Sequence, residues 1–397
     1  MTSIDDLPVT PSDPAAGGVR GAAGVSPRGV LGKLPHYAAG KPPVVVDGLE
    51  SFKLSSNENP LPPLPAVLEA IASETSINRY PDPMTTALRT ELAGYLGVPA
   101  TDIVTGAGSL GALNQILATF AGQNDFDAPD EVVYAWRSFE AYPISVGLAG
   151  AAGIQVPVRS DGTHDLEAMA EAMTERTRVI MLCTPNNPTG PVLTHGEVVD
   201  FLAKVPPHVV VVIDEAYQEF VRRPDAADGI GLYRDHPNVI VLRTFSKAHG
   251  LAGLRVGYSV AQPSLTEHLR VSAVPFAVSQ IAEHAAVTSL RHIDEVEARV
   301  QSIVDERIRV VTGLRELGWT VPETEGNFVW LALGEHTQDF AAKAGEQALS
   351  VRAFGSEGVR VSIGEEAANT RFLKLCGQYS HRPQPIEPVL NRTADPR

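Results

Sequence analysis

The sequence predicts an α/β protein built on a largely parallel sheet, with a smaller α/β unit near its C-terminal end. Three patterns carry that expectation. Short apolar, β-branched runs alternate with segments of helical periodicity, as layered βαβ units require. The runs are apolar throughout, which marks strands covered on both faces. Each run ends in a polar, Gly-rich or ionisable cluster, and in open α/β sheets ligands bind outside the carboxyl ends of the strands.

Taken in order, Ile103-Val104 leads into TGAGS, and Val132-Val133-Tyr134 precedes WRSFEAYP. VIML (179–182) precedes CTPNNPTG, VVVVI (209–213) ends at Asp214, and VIVL (239–242) ends at RTFSK. Five strand ends are thereby expected around one cleft. In TTALRTELAGYL the residues Leu88, Leu92, Tyr95 and Leu96 fall on one helical face. Residues 280 to about 317 read as helical and charged on one side. They lead into a C-terminal unit with strands around 327–331 and 358–363. Residues 1 to about 30, rich in Pro, Gly, Ala and Ser, and those from about 380 onward read as disordered tails.

The chain has 397 residues, 44% hydrophobic and 20% charged, a soluble globular composition with room for two domains. A formal net charge of -15 gives no electrostatic footprint for nucleic acid or an anionic membrane. The two cysteines, Cys183 and Cys376, argue against a disulfide framework or a cysteine-rich metal site. No basic-then-apolar leader opens MTSIDDLPVTPSDP, and the longest apolar runs are too short to span a bilayer. A cytoplasmic protein is the expectation.

The chemistry concentrates in the strand-end clusters. In TFSKAHGLAGLRVG (244–257), Lys247 follows a buried strand, Thr244 and Ser246 offer hydroxyls, and Arg255 offers a fork suited to phosphate. A lysine held near cations loses affinity for its proton, which favours Schiff-base chemistry. In TGAGSLG, Gly106, Gly108 and Gly111 spell the dinucleotide pattern G-x-G-x-x-G. Physically it supplies free N–H groups at a helix N-terminus, which suit a single phosphate as well as a pyrophosphate. An NAD-dependent oxidoreductase is the alternative resting on that motif, and it leaves Lys247, Asn187, Asp214 and Arg255 without a role. Asp214, at the end of an apolar strand, is costly to bury unpaired. It either caps a following helix or faces a cationic ring nitrogen.

In this order and spacing the segments resemble fold type I, pyridoxal-phosphate-dependent aminotransferases with the class II lysine signature. The nearest branch is that of histidinol-phosphate and aromatic amino acid aminotransferases. The resemblance covers about residues 30 to 380 and includes LPHYAAGKP and LSSNENP (54–60). It implies a tail over 1–30, an arm over 31–75 joining the small domain, and a large cofactor-binding domain over 76–279. A small domain with a linking helix over 280–379 and a tail over 380–397 complete the division.

The resemblance also implies roles. Lys247 holds pyridoxal phosphate as a Schiff base, then acts as base and acid in a ping-pong exchange with a 2-oxo acid. Ala107, Gly108 and Ser109, with Thr244, Ser246 and Arg255, take the cofactor phosphate. Phe139 stacks on the ring, with Trp136 as the alternative. Asn187 and Tyr217 meet the phenolic oxygen, Tyr217 sharing a face with Asp214 if that segment is helical. Asp214 meets the ring nitrogen. Tyr80, in RYPDP, reaches the phosphate of a neighbouring subunit, which implies a homodimer. Arg360 grips the substrate α-carboxylate, Arg352 lies near the substrate side chain, and Tyr37 also meets substrate. No metal is implied. Between aromatic amino acids and histidinol phosphate, the loop VRAFGSEGVRV favours the former. It carries Phe354 and also Glu357, which would repel a phosphate if it faced the pocket.

Overall fold

The computed structural model describes residues 26–37, 40–123 and 128–381. Both tail expectations fall mostly outside the described residues. Strand β1 (Phe52–Lys53) is followed by β2 (Ile103–Gly106), β3 (Glu131–Trp136), β4 (Ala152–Pro157), β5 (Thr177–Cys183), β6 (Val210–Asp214), β7 (Val239–Thr244) and β8 (Gly257–Ala261). Then come β9 (Phe328–Leu331), β10 (Leu349–Ser350), β11 (Arg352–Phe354) and β12 (Gly358–Ser362).

Seven strands form one sheet in the order β2-β8-β7-β6-β5-β3-β4. All its pairings are parallel except those of β8, which runs antiparallel to both β7 and β2. The apolar runs explain the layering. Along β6, Val211 and Ile213 join the core on one face, while Val210 and Val212 join the core on the other. Side chains alternate across a strand, so only an unbroken apolar run can fill both layers. The helices Gly108–Phe120 and Tyr142–Ala149 supply Leu113, Ile116, Tyr142 and Val146 to the second of these cores.

The C-terminal part carries a three-stranded antiparallel sheet, β11-β12-β9. The early strand β1 pairs in parallel with β10, so the segment around residue 52 is stitched to the one around 349. Among the described residues no helix is long and apolar enough to cross a membrane.

Three local expectations need correction. Leu88 and Leu92 are fully buried, but Tyr95 is 42% exposed, in the last turn before the left-handed Gly97 ends the helix. The 280–317 segment is two helices, Gln280–Arg291 and Ile293–Glu316, broken at His292 in a non-helical conformation. No Pro or Gly marks that break in the sequence. After Asp214 the chain makes a turn and a short 3-10 segment, Gln218–Phe220, rather than an α-helix. Asp214 closes the turn locally, its Oδ1 accepting from the Ala216 N–H at 3.2 Å.

Candidate active site

A cavity of about 340 Å³ opens at the carboxyl ends of the parallel strands. It falls in the size range of small-molecule sites. Ser109, Phe139, Asn187, Asp214, Tyr217, Thr244, Ser246, Lys247, Arg255, Arg352, Arg360 and Tyr37 all line it. They come from more than 300 positions of chain, and the parallel sheet is what gathers them.

Lys247 lies three residues beyond the end of β7, and its Nζ donates to the carbonyl of Ser56 at 3.1 Å. Burial, with Arg360 nearby, lowers its ammonium from 10.5 to about 7. Charge that is removed from water and crowded by like charge is given up more easily. A substantial fraction of this amine is therefore neutral at physiological pH.

Asp214 closes the floor, 5% exposed. Its Oδ2 accepts from the Tyr142 hydroxyl at 2.7 Å. Burial raises its carboxyl from 3.8 to about 6, against the pull of that hydrogen bond. Among the described residues no cation pairs with it, so the site holds a desolvated carboxylate that a protonated ring nitrogen would complement.

Two donors are pre-aimed by partners of their own. The Oδ1 of Asn187 accepts from Arg360 Nη1 at 2.6 Å, which leaves the amide N–H groups for the cavity. The Tyr217 oxygen accepts from Asn57 Nδ2 at 3.0 Å, which leaves its own O–H to donate. The neighbouring Asn186 is consumed structurally. It accepts from Ser138 Oγ at 2.7 Å and donates to the Arg137 carbonyl and to Thr189.

At the opposite end, the helix Gly108–Phe120 points its N-terminus at Arg255, Ser246 and Thr244. Gly108 has φ +73°, and a side chain there would collide with the Arg255 guanidinium. Gly257 on β8 is similarly constrained, since a side chain would strike the backbone at Ser109. Thr244 accepts from the Ser246 N–H at 3.1 Å and donates to Ser246 Oγ at 2.9 Å, fixing the hydroxyl pair. Free helix N–H groups, hydroxyls and a guanidinium make an anion cradle. Of the three residues expected on the phosphate, Ser109 lines the cavity directly. Gly108 acts by letting Arg255 approach, and Ala107 caps the helix behind it.

Phe139 faces the cavity, its ring 5.7 Å from Tyr142. Trp136 does not line it and lies under the Arg137 guanidinium at 4.3 Å. Tyr80 stands apart, 82% exposed and stacked on Phe276 at 4.5 Å. Glu357, expected as a guard against phosphate, is paired with Arg137 and lies outside the lining. The carboxylate that does face the cavity beside Arg352 is Glu140.

Sequence reasoning missed the contribution of residues 55–57. The carbonyl of Ser56 meets Lys247, that of Ser55 accepts from Arg360 Nη2 at 2.8 Å, and Asn57 orients Tyr217. Main-chain carbonyls carry no signature in a sequence, so only the motif LSSNENP hinted at this segment. Tyr142 and Glu140 were also missed, although both sit inside the quoted WRSFEAYP. Among the described residues no cluster of three His, Cys, Asp or Glu is placed to hold a metal.

The family described as aminotransferase class I and II matches residues 50–375. An aromatic amino acid aminotransferase of Streptomyces avermitilis is 53% identical over 353 residues, spanning 89% of this chain and 97% of its own length. One of Thermobifida fusca is 51% identical over 356 residues, spanning 89% and 97%. Among solved structures, the histidinol-phosphate aminotransferase of Sinorhizobium meliloti in complex with pyridoxal-5'-phosphate superposes with a TM-score of 0.75. It is 27% identical and covers 82% of this chain and 90% of that one. The glycine motif of TGAGSLG thus belongs to an anion cradle facing a lysine, which removes the dinucleotide reading. With the family match running over residues 50–375, across every strand that feeds this cavity, the chain belongs to the class I and II aminotransferases.

Proposed function

We propose that this protein transaminates aromatic amino acids with a 2-oxo acid, using pyridoxal phosphate held at Lys247. The observation that carries the reading is the cavity itself, where Lys247, Asp214, Asn187 and Arg360 converge beside an apolar wall of Leu110, Phe139 and Phe354. The cofactor, when bound, supplies an aldehyde carbon and a pyridinium ring that withdraws electrons from the substrate α-carbon. The anion cradle of Ser109, Ser246 and Arg255 takes its phosphate, Asp214 its ring nitrogen, and Asn187 with Tyr217 its phenolic oxygen. Arg360 takes the substrate carboxylate. Lys247 Nζ removes the proton from the substrate α-carbon and later returns a proton, as a general base and then a general acid whose pKa sits near the working pH. Each half-reaction releases its product before the next substrate binds.

The nearby curated relatives are named for aromatic amino acids, and the apolar wall suits such side chains. Histidinol phosphate is the second reading, favoured by the nearness of Arg352 to Arg360. The test is a set of half-reactions: the yellow holoenzyme is mixed with phenylalanine, tyrosine, glutamate or histidinol phosphate, and the rate of bleaching is followed. Phenylalanine and tyrosine should bleach it at least about tenfold faster than histidinol phosphate, a margin of about 1.4 kcal/mol. The reverse order would overturn the substrate assignment.

Cofactor capture should report on Lys247 directly. Only the neutral amine attacks an aldehyde, and the folded-state pKa is depressed, so the neutral form grows as pH rises through about 7. The rate at which apoprotein takes up pyridoxal phosphate, read by stopped-flow absorbance, should rise with pH and level off above about 8. A rate still climbing at pH 10 would mean an ordinary lysine.

The active unit in this reading is a cytoplasmic homodimer. Tyr80 is spent on nothing in its own cavity, and with Phe276 it forms an exposed aromatic pair suited to a second copy.

A further inference from the structure

Three arginines surround Phe354. The guanidinium carbons of Arg137, Arg352 and Arg360 lie 5.7, 5.5 and 5.7 Å from its ring centre. Two of them are matched by carboxylates. Arg137 pairs with Glu357, outside the cavity lining. Arg352 directs both Nε and Nη2 at a single Glu140 oxygen, at 3.2 and 2.5 Å. Both members of this second pair line the cavity. Arg360 has no carboxylate partner among the described residues. Its hydrogen bonds run to Asn187 and the Ser55 carbonyl, and its buried Nε has no hydrogen-bond partner.

The register sharpens the contrast. Arg352 on β11 stands directly opposite Arg360 on β12. Cross-strand partners lie close on one face of the sheet, so the two guanidinium groups form a ready-made divalent cation. A carboxylate carries one negative charge at neutral pH and a phosphomonoester close to two. The number of uncompensated arginines therefore decides which anion the wall suits.

Building on the transamination reading, we infer that Glu140 is a specificity-determining residue. By occupying Arg352 it leaves this wall with a single uncompensated positive charge, which suits a substrate carboxylate and disfavours a phosphomonoester dianion. The residue lies between Phe139, on the cavity wall, and the helix Tyr142–Ala149. Its backbone is thus fixed by the loop that follows β3, and it need only extend to Arg352. A phosphate entering the wild-type pocket meets the Glu140 charge as well as the arginines. At separations of about 4 Å such repulsion is worth several-fold to a thousand-fold in binding even with strong screening.

The experiment compares kcat/KM for histidinol phosphate with that for phenylalanine in the holoenzyme. In Glu140→Gln the ratio should rise at least about tenfold, mostly through a lower KM for the phosphate substrate. Glu140→Ala serves as a second variant if the first folds poorly, and should move the ratio the same way. Glu357→Gln should leave the ratio unchanged, because Glu357 pairs outside the cavity. The double variant Glu140→Gln/Arg352→Gln should lose the gain, which a merely structural role for Glu140 does not require. An unchanged ratio in both Glu140 variants, with wild-type phenylalanine turnover normal, overturns the inference alone. A gain that persists without Arg352 overturns it as well. Wild-type enzyme inert toward phenylalanine would instead strike the transamination reading, and this inference with it.

Discussion

Lys247→Ala is expected to lower transamination by at least about 10⁴-fold while leaving the fold intact. General acid–base action by a positioned side chain is commonly worth up to about 10⁴-fold, and in the proposed reading this residue also supplies the amine that captures the cofactor. Alanine keeps the backbone between Ser246 and Ala248 and removes an ammonium whose burial is already unfavourable, so the circular dichroism spectrum and melting temperature should hold. The variant should still bind pyridoxal phosphate through Arg255, Ser246 and Asp214. Borohydride should no longer fix the cofactor to the chain, which mass spectrometry reads directly. Residual activity within about tenfold of wild type would remove Lys247 from the reaction.

The second large effect is at Asp214. Asp214→Asn keeps the shape of the side chain but removes the charge proposed to face the cofactor ring. Breaking one half of a buried charge pair costs about 3–5 kcal/mol, so turnover should fall by about 10²- to 10⁴-fold. The stability of the apoprotein should move the other way. The folded-state carboxyl is raised to about 6, above its unfolded value. Its contribution to stability is therefore full below about pH 4 and is lost as pH rises through 6. At pH 8 the wild-type apoprotein carries the full cost of an ionised, desolvated Asp214, and asparagine does not. Calorimetry at pH 8 should find the Asn variant melting no lower than wild type. A variant both active and less stable would mean that Asp214 serves structure rather than the ring. Such opposition between stability and function is expected where a charge is held ready for a ligand.

Much of this was legible in the sequence because the relevant physics is local. A run such as Val209–Ile213 fills both faces of a sheet only if every residue is apolar, so the central strands announce themselves. Cavity residues at their carboxyl ends follow from chain polarity. What stayed hidden depended on distant partners. Asn186 and Asn187 are identical in type and adjacent, yet Ser138 and Thr189 consume one while Arg360 turns the other toward the cavity. Glu357 and Glu140 are both acidic neighbours of arginines, and only the folded register decides that Glu140 meets Arg352. The break at His292 has no helix-stopping residue to betray it. The turn after Asp214 was not legible because an Asp at a strand end serves a tight turn as readily as a helix cap.

The stitch between the beginning and the end of the chain governs when a newly made molecule can work. Asn57 donates its backbone N–H to Ser362, 305 positions later, and the adjoining carbonyls complete the surroundings of both Arg360 and Lys247. Closing so long a loop adds little free energy, since the entropic cost grows only with the logarithm of length. Its consequence is one of timing, because contacts between remote positions form late. On the ribosome, the wide central sheet can be fully translated while the segment around residue 57 still waits for its counterpart. A nascent polypeptide released before residue 362 would own Lys247, Asp214 and the helix-end anion cradle, yet lack Arg360 or the strand that seats it.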